Sequence, residues 1–283
     1  MKKIIQSLCI AVAVAGVSAP AFAGTITVKG SDTLVILAQK WAEVYMGEHK
    51  DAKIQVTGGG TGTGFAALQA QTTDLCDASR KARPAEIADC IKAFGKRPTE
   101  YKVALDGLSI YVNPENSLKE LTLDQVKDIF TGKVKNWKAV GGPDAPITVY
   151  SRENSSGTYE FFKENVLKGQ DFAASAQTMP GTAAIVQAVV KDRSAIGYGG
   201  AAYGGGSKLL AIKKDDASPA ILPNEETVVS GTYPIWRYLY IYVNPALDKG
   251  ETAAYLNWMR GDDGQKYVKE VGYYPLPKNL RSN

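Results

Sequence analysis

Ile147-Thr148-Val149-Tyr150-Ser151-Arg152-Glu153-Asn154-Ser155-Ser156-Gly157-Thr158-Tyr159-Glu160-Phe161-Phe162 passes from a short β-branched run, through a polar stretch rich in serine, into an aromatic helical pattern. The same order recurs to either side. Thr25-Ile26-Thr27-Val28 leads through Gly30-Ser31-Asp32-Thr33 into Leu34, Leu37, Ala38, Trp41, Val44 and Tyr45, which repeat at helical spacing. Ile54-Gln55-Val56 leads through the glycine-rich stretch Gly58 to Gly64 into Phe65-Ala66-Ala67-Leu68. Asp74-Leu75 leads through Ala78-Ser79-Arg80 to a helix that begins near Pro84, a residue favoured at the first helical position. Strands alternating with helices in this way predict an α/β fold.

The 283 residues, 45% apolar and 22% charged, have the balance of a globular protein with room for two lobes. The start departs from that balance. Lys2 and Lys3 precede an apolar run from Ile4 to Val17, and Ala21-Phe22-Ala23 closes it with small residues. This predicts a secretory signal peptide, residues 1–23, cleaved after Ala23; the run is shorter than the roughly 20 residues a membrane span needs. Cleavage takes two of the lysines, so the net charge falls from +4 to about +2, and no nucleic-acid partner is expected. It also removes Cys9. Cys76 and Cys90 remain, an even pair in an exported chain, which predicts one disulfide.

An internal echo bears on the lobes. Ile110-Tyr111-Val112-Asn113-Pro114 returns as Ile241-Tyr242-Val243-Asn244-Pro245, each strand ended by Asn-Pro. If both strands run between lobes, residues 24–109 and 240–283 form one lobe and 110–239 the other. The six glycines between Gly197 and Gly206 suggest turns and close backbone approach.

Several chemistries lack their residues. The single histidine, His49, lies between Glu48 and Lys50 in a polar stretch, and no serine sits in a Gly-x-Ser-x-Gly pattern. Metal sites built on histidine or cysteine are unsupported, and no Lys-Ser or Lys-Thr follows the glycine-rich stretch as a phosphate loop requires. No enzyme activity, metal or cofactor is expected. What recurs is a helix start preceded by glycine and hydroxyl residues, where free backbone N–H groups and the helix dipole favour an anion. The quoted stretch is the most specific of these, because Arg152 stands four residues before Ser156-Gly157-Thr158 and its fork can face the same point as the helix-start amides. Arg80, at a strand end, is a second arginine so placed.

At these residues the sequence resembles the periplasmic phosphate-binding proteins of ABC phosphate importers. The resemblance runs from Gly30-Ser31-Asp32-Thr33-Leu34 through Thr57 to Gly64, Asp74 to Arg80, Leu123 to Trp137, Ser151 to Phe162 and Ala195-Ile196-Gly197-Tyr198. It implies a two-lobed type II periplasmic-binding-protein fold with two hinge strands, and a cleft that holds one inorganic phosphate and delivers it to a membrane permease. Carried over by position, it implies that Thr33, Leu34, Thr61, Arg152, Ser156, Gly157 and Thr158 bind the anion, with Ser155 a further donor. Some members have an aspartate where this chain has Arg80; a branch with Ser-Arg is similar here, and implies a second arginine in the site. Asp32 is then the nearest carboxylate, either as the cap of the first helix or as the acceptor of the phosphate proton. A periplasmic monomer is expected. Sulfate, molybdate or tungstate stand as alternative ligands, and a periplasmic phosphohydrolase as an alternative function.

Overall fold

The computed structural model describes residues 24–281, so the signal-peptide expectation lies outside the described residues. In chain order the elements are β1 (Ile26–Gly30), α1 (Val35–Glu48), β2 (Ile54–Thr57), α2 (Thr61–Gln69), β3 (Leu75–Ala78), α3 (Pro84–Phe94), β4 (Thr99–Val112), β5 (Glu120–Thr122), α4 (Leu123–Phe130), β6 (Thr148–Arg152), α5 (Gly157–Asn165), β7 (Gln177–Met179), α6 (Gly181–Lys191), β8 (Ala195–Gly200), β9 (Lys208–Lys213), α7 (Glu225–Val229), β10 (Trp236–Val243), α8 (Gly250–Arg260) and α9 (Asp262–Val271). Among the described residues no helix is long and apolar enough to cross a membrane.

The strands pair in the order β2-β1-β3-β10-β4-β8-β6-β7, with β9 on β4 and β5. β1, β2 and β3 are parallel to one another, as are β6, β7 and β8. The two halves meet in β4. Its residues from Thr99 to Gly107 pair with β10, and those from Leu108 to Val112 pair with β8. Ten consecutive buried positions, Val103 to Val112, follow from a strand covered on both faces.

Two large apolar clusters make two lobes. One gathers Ile26, Leu37, Trp41, Leu75, Val103 and Ile241 with Tyr255, Leu256, Met259 and Val268 of the C-terminal helices. The other gathers Leu108, Ile110, Ile129, Phe130, Trp137, Phe162, Ile196 and Tyr198. The echoed strand ends share their chemistry: Asn113 Oδ1 accepts from the Glu115 amide and Asn244 Oδ1 from the Ala246 amide, both at 3.0 Å. They sit in different cores, because β4 and β10 are antiparallel and each finishes inside a different lobe.

The glycine run at 197–206 is not all turn. Its first half is β8, where a Cβ on Gly197 would lie 2.4 Å from Ile185 and one on Gly199 2.5 Å from Thr182, so close approach of α6 requires those glycines. The expected disulfide is corrected: Cys76 and Cys90 are free thiols in this structure, packed as apolar side chains in one small cluster with Phe65, Leu68 and Tyr242. Burial pushes both thiols above their ordinary range, which makes them poor nucleophiles.

Candidate functional site

Parallel strands that each feed a helix place their polar ends together at one edge of a sheet, and facing lobes bring two such edges to one cleft. Here the residues just before α1, at the start of α2, just after β3 and at the start of α5 converge. Thr33 Oγ1 lies 2.6 Å from Thr158 Oγ1, Thr158 Oγ1 donates to Ser79 Oγ at 3.3 Å, and Ser79 Oγ lies 3.4 Å from Thr61 Oγ1. All four side chains are buried. Thr33, Thr61 and Ser79 come from the lobe that holds β1 and β3, whereas Thr158 comes from the other. No side chain caps α1 or α2, while Ser156 Oγ accepts from the Tyr159 amide to cap α5.

The segment before α5 fits against the start of α2. Ser155 O accepts from the Gly62 amide at 2.9 Å, and Ser155 Oγ donates to Gly59 O at 3.2 Å. Gly60 takes φ +95, and a Cβ there would lie 2.5 Å from Ser155 O, so only glycine fits this approach. Gly157 is equally confined: a Cβ would lie 2.3 Å from Thr61 Oγ1 and 2.8 Å from Ser79 Oγ.

Arg152 is buried at the end of β6 and fully engaged. Nε donates to Glu153 at 3.0 Å, Nη1 to Thr182 Oγ1 at 3.0 Å, and Nη2 to Asp32 Oδ2 at 2.7 Å. Burial opposes the charge on Glu153, but the hydrogen bond and charge of Arg152 prevail and hold its carboxyl below the usual range. Asp32 Oδ1 accepts from the Gly59 amide at 2.8 Å, and the Asp32 carbonyl from the Tyr203 hydroxyl at 2.6 Å. Asp32 is therefore not the cap of α1: its carboxylate joins the glycine-rich turn to the arginine of the opposite lobe.

Of the residues expected in the site, Thr33, Thr61 and Thr158 are brought together with Gly157 against them. Leu34 is a core residue whose amide donates to Ser31 O at 3.0 Å. Arg80 makes its polar contacts elsewhere. Its Nη1 and Nη2 donate to Glu86 at 2.8 and 2.7 Å, and it also pairs with Glu160, which pairs in turn with Arg83. Burial works against the charged guanidinium, yet these two carboxylates raise its pKa. Glu86 also accepts from the Arg83 amide at the start of α3, so Arg80 serves the α3–α5 packing and makes none of its polar contacts with the four hydroxyls.

Three contributors went unread. Ser79 follows β3 in the Ala-Ser-Arg stretch, one position before the arginine that drew attention. Arg237 and Asp106 form a buried pair beside Thr158, Nη2 to Oδ2 2.8 Å, and their signal was a charge inside an apolar run: Asp106 within Val103 to Val112 of β4, and Arg237 as the one charged residue of β10. Among the described residues no cluster of three or more His, Cys, Asp or Glu side chains is placed to hold a metal ion.

A family model described as the PBP superfamily domain matches residues 16–263. The chain is 36% identical over 274 residues to phosphate-binding protein PstS of Pseudomonas aeruginosa, covering 91% of this chain and 84% of that one. It is 33% identical over 258 residues to phosphate-binding protein PstS of Bacillus subtilis, covering 89% and 81%. A phosphate-bound structure of a putative phosphate ABC transporter substrate-binding protein from Clostridium perfringens superposes with a TM-score of 0.81 at 26% identity, covering 90% of this chain and 100% of that one. An ABC-type phosphate transport receptor from Vibrio cholerae gives 0.70 at 26% identity, covering 89% and 100%. Two lobes, each with a parallel sheet edge facing a shared cleft, and the matches over nearly the whole chain agree: the architecture is the type II periplasmic-binding-protein fold, and the chain belongs to the PBP superfamily and, within it, to the family of phosphate-binding proteins PstS.

Proposed function

We propose that this chain captures inorganic phosphate in the cleft between its lobes and hands it, without bond chemistry, to the membrane permease of an ABC importer. One observation carries this reading: four buried hydroxyls from both lobes meet at the starts of three helices, and Arg152 pairs with Asp32, the residue before Thr33. On binding, Thr33, Thr61, Ser79 and Thr158 exchange their mutual hydrogen bonds for bonds to the four oxygens, and the α5 amides at Gly157 and Thr158 add donors at the positive end of that helix. Arg152 supplies buried positive charge. Asp32, next to Thr33, accepts the proton of monohydrogen phosphate, a proton that sulfate lacks.

The lobes are residues 24–109 with 240–283, and 110–239; the change of β4 partners at Gly107 and Leu108 supports the first boundary. The chain is exported by a signal peptide cleaved after Ala23 and acts as a periplasmic monomer. Calorimetric titration of the mature protein with phosphate, sulfate and molybdate tests the assignment. Phosphate is expected to bind most tightly; tighter binding of another oxyanion, or release of phosphate from a chromogenic phosphoester, would overturn it.

A further inference from the structure

The pair formed by Arg237 and Asp106 sits where β10 and β4 face each other, directly opposed in register. Both side chains are almost wholly buried, at 2% and 0% exposed. Asp106 Oδ2 accepts from Arg237 Nε at 3.0 Å and from Nη2 at 2.8 Å, and Oδ1 accepts from the Ala201 amide at 3.2 Å. The remaining donors of the fork leave the pair. Nη1 donates to Ser79 O at 2.9 Å and Nη2 to Thr158 Oγ1 at 3.0 Å, while the guanidinium carbon lies 5.2 Å from the centre of the Phe161 ring. One side chain thus touches the end of β3, the middle of β4 and the start of α5.

Fold stability alone is a weak account of such a pair, because buried ion pairs are often matched by apolar residues of similar volume. Its effect on Thr158 is more specific. A guanidinium only donates, and a hydroxyl has one hydrogen. Thr158 Oγ1 therefore accepts from Arg237, and its hydrogen is turned into the hydroxyl cluster, where Ser79 Oγ and Thr33 Oγ1 lie. Thr61 is set in the same sense, since its Oγ1 accepts from the Ser79 amide at 3.1 Å.

We propose that Arg237, held by Asp106, is a positioning residue of the oxyanion site: it fixes Thr158 as a donor toward the anion and does so only when α5 is closed onto the strands that join the lobes. The inference rests on the phosphate reading above and adds to it a residue pair outside the helix-start motifs.

The test is a cycle of variants titrated with inorganic phosphate: Arg237→Met/Asp106→Asn, which removes both charges together, Thr158→Val, and the triple variant. The double variant is expected to bind roughly ten- to a hundredfold more weakly, the loss typical of one charge-assisted hydrogen bond. Because Arg237 acts through Thr158, the triple variant should bind within about threefold of Thr158→Val. If the double variant does not fold, Arg237→Lys gives the same readout, since a point donor cannot serve Asp106, Ser79 and Thr158 at once, and at least about fivefold weaker binding is expected. Wild-type affinity in the double variant or in Arg237→Lys, or losses that add fully in the triple variant, would overturn the inference while leaving the phosphate assignment intact. A wild-type chain that binds no phosphate would overturn the assignment itself, and this inference with it.

Discussion

Replacing Gly157 with alanine adds one methyl group at the tightest point between the lobes. Built on the backbone, its Cβ falls 2.3 Å from Thr61 Oγ1, 2.8 Å from Ser79 Oγ and 2.9 Å from Thr61 Cβ. The first of these is about 1 Å inside van der Waals contact, and the atoms it meets belong to short, buried side chains, among them the Thr61 Cβ, which no side-chain rotation moves. Overpacking of this kind costs about 1–3 kcal/mol. Gly157 is the first residue of α5, where alanine suits the helix better than glycine, so the open form bears none of that penalty. All of it falls on closure, and phosphate affinity should drop roughly 5- to 150-fold. Calorimetric titration measures the loss, and thermal melting without phosphate should give a midpoint within about 2 °C of wild type. Affinity within twofold of wild type would refute the idea that α5 closes this far onto Thr61 and Ser79. A large fall in the phosphate-free melting temperature would show instead that the contact belongs to the resting fold.

Arg80→Gln should leave phosphate affinity within about threefold of wild type while lowering the melting temperature, because it takes the paired charge from Glu86 and one of two from Glu160, whose side chains are 11% and 16% exposed; a large affinity loss with an unchanged melt would place Arg80 in the site. Asp32→Asn should weaken phosphate binding and improve sulfate binding in the same buffer, and an equal loss for both ions would mark Asp32 as only the partner of Arg152. Burial raises the pKa of Asp77 to about 8, and its Oδ1 has no hydrogen-bond partner among the described residues. The unfolded carboxyl titrates near 4, so the folded chain holds the extra proton between about pH 4 and 8, and stability from this group falls as pH rises, by up to about 1.4 kcal/mol per unit. Asp77→Asn should flatten that slope and melt higher than wild type at pH 8; parallel pH profiles would show that Asp77 ionises freely in the fold.

The strand–turn–helix order was legible because each turn combines glycine with hydroxyl residues, a local signal that needs no partner to be recognised. The turns that hold Thr33, Thr61 and Thr158 were readable for that reason, while the family resemblance singled out those residues within them, and α3 was placed by Pro84. The direction of Arg80 was not legible, because position along the chain does not fix it: after Ser79 the side chain turns to Glu86, six residues ahead, and to Glu160 of α5. Arg237 and Asp106 lie 131 residues apart, and only the pairing of β4 with β10 joins them. The Asn-Pro echo reported the ends of two strands correctly but could not report that they end in different cores, which the antiparallel register decides.

The division of the two apolar cores along the chain has a consequence for how the molecule assembles. Most of the core that contains Phe130 and Tyr198 comes from one uninterrupted stretch, whereas the core around Trp41 needs residues from 26–104 and again from 239–273. Bringing those two pieces together closes a loop of about 130 residues, an entropic cost that a prefolded intervening lobe largely removes. The lobe in the middle of the sequence should therefore collapse first and act as a rigid spacer that delivers the C-terminal helices to their place. A chain cut short before α8 would keep one finished lobe and leave the other, with Thr33 and Thr61, exposed and prone to aggregate.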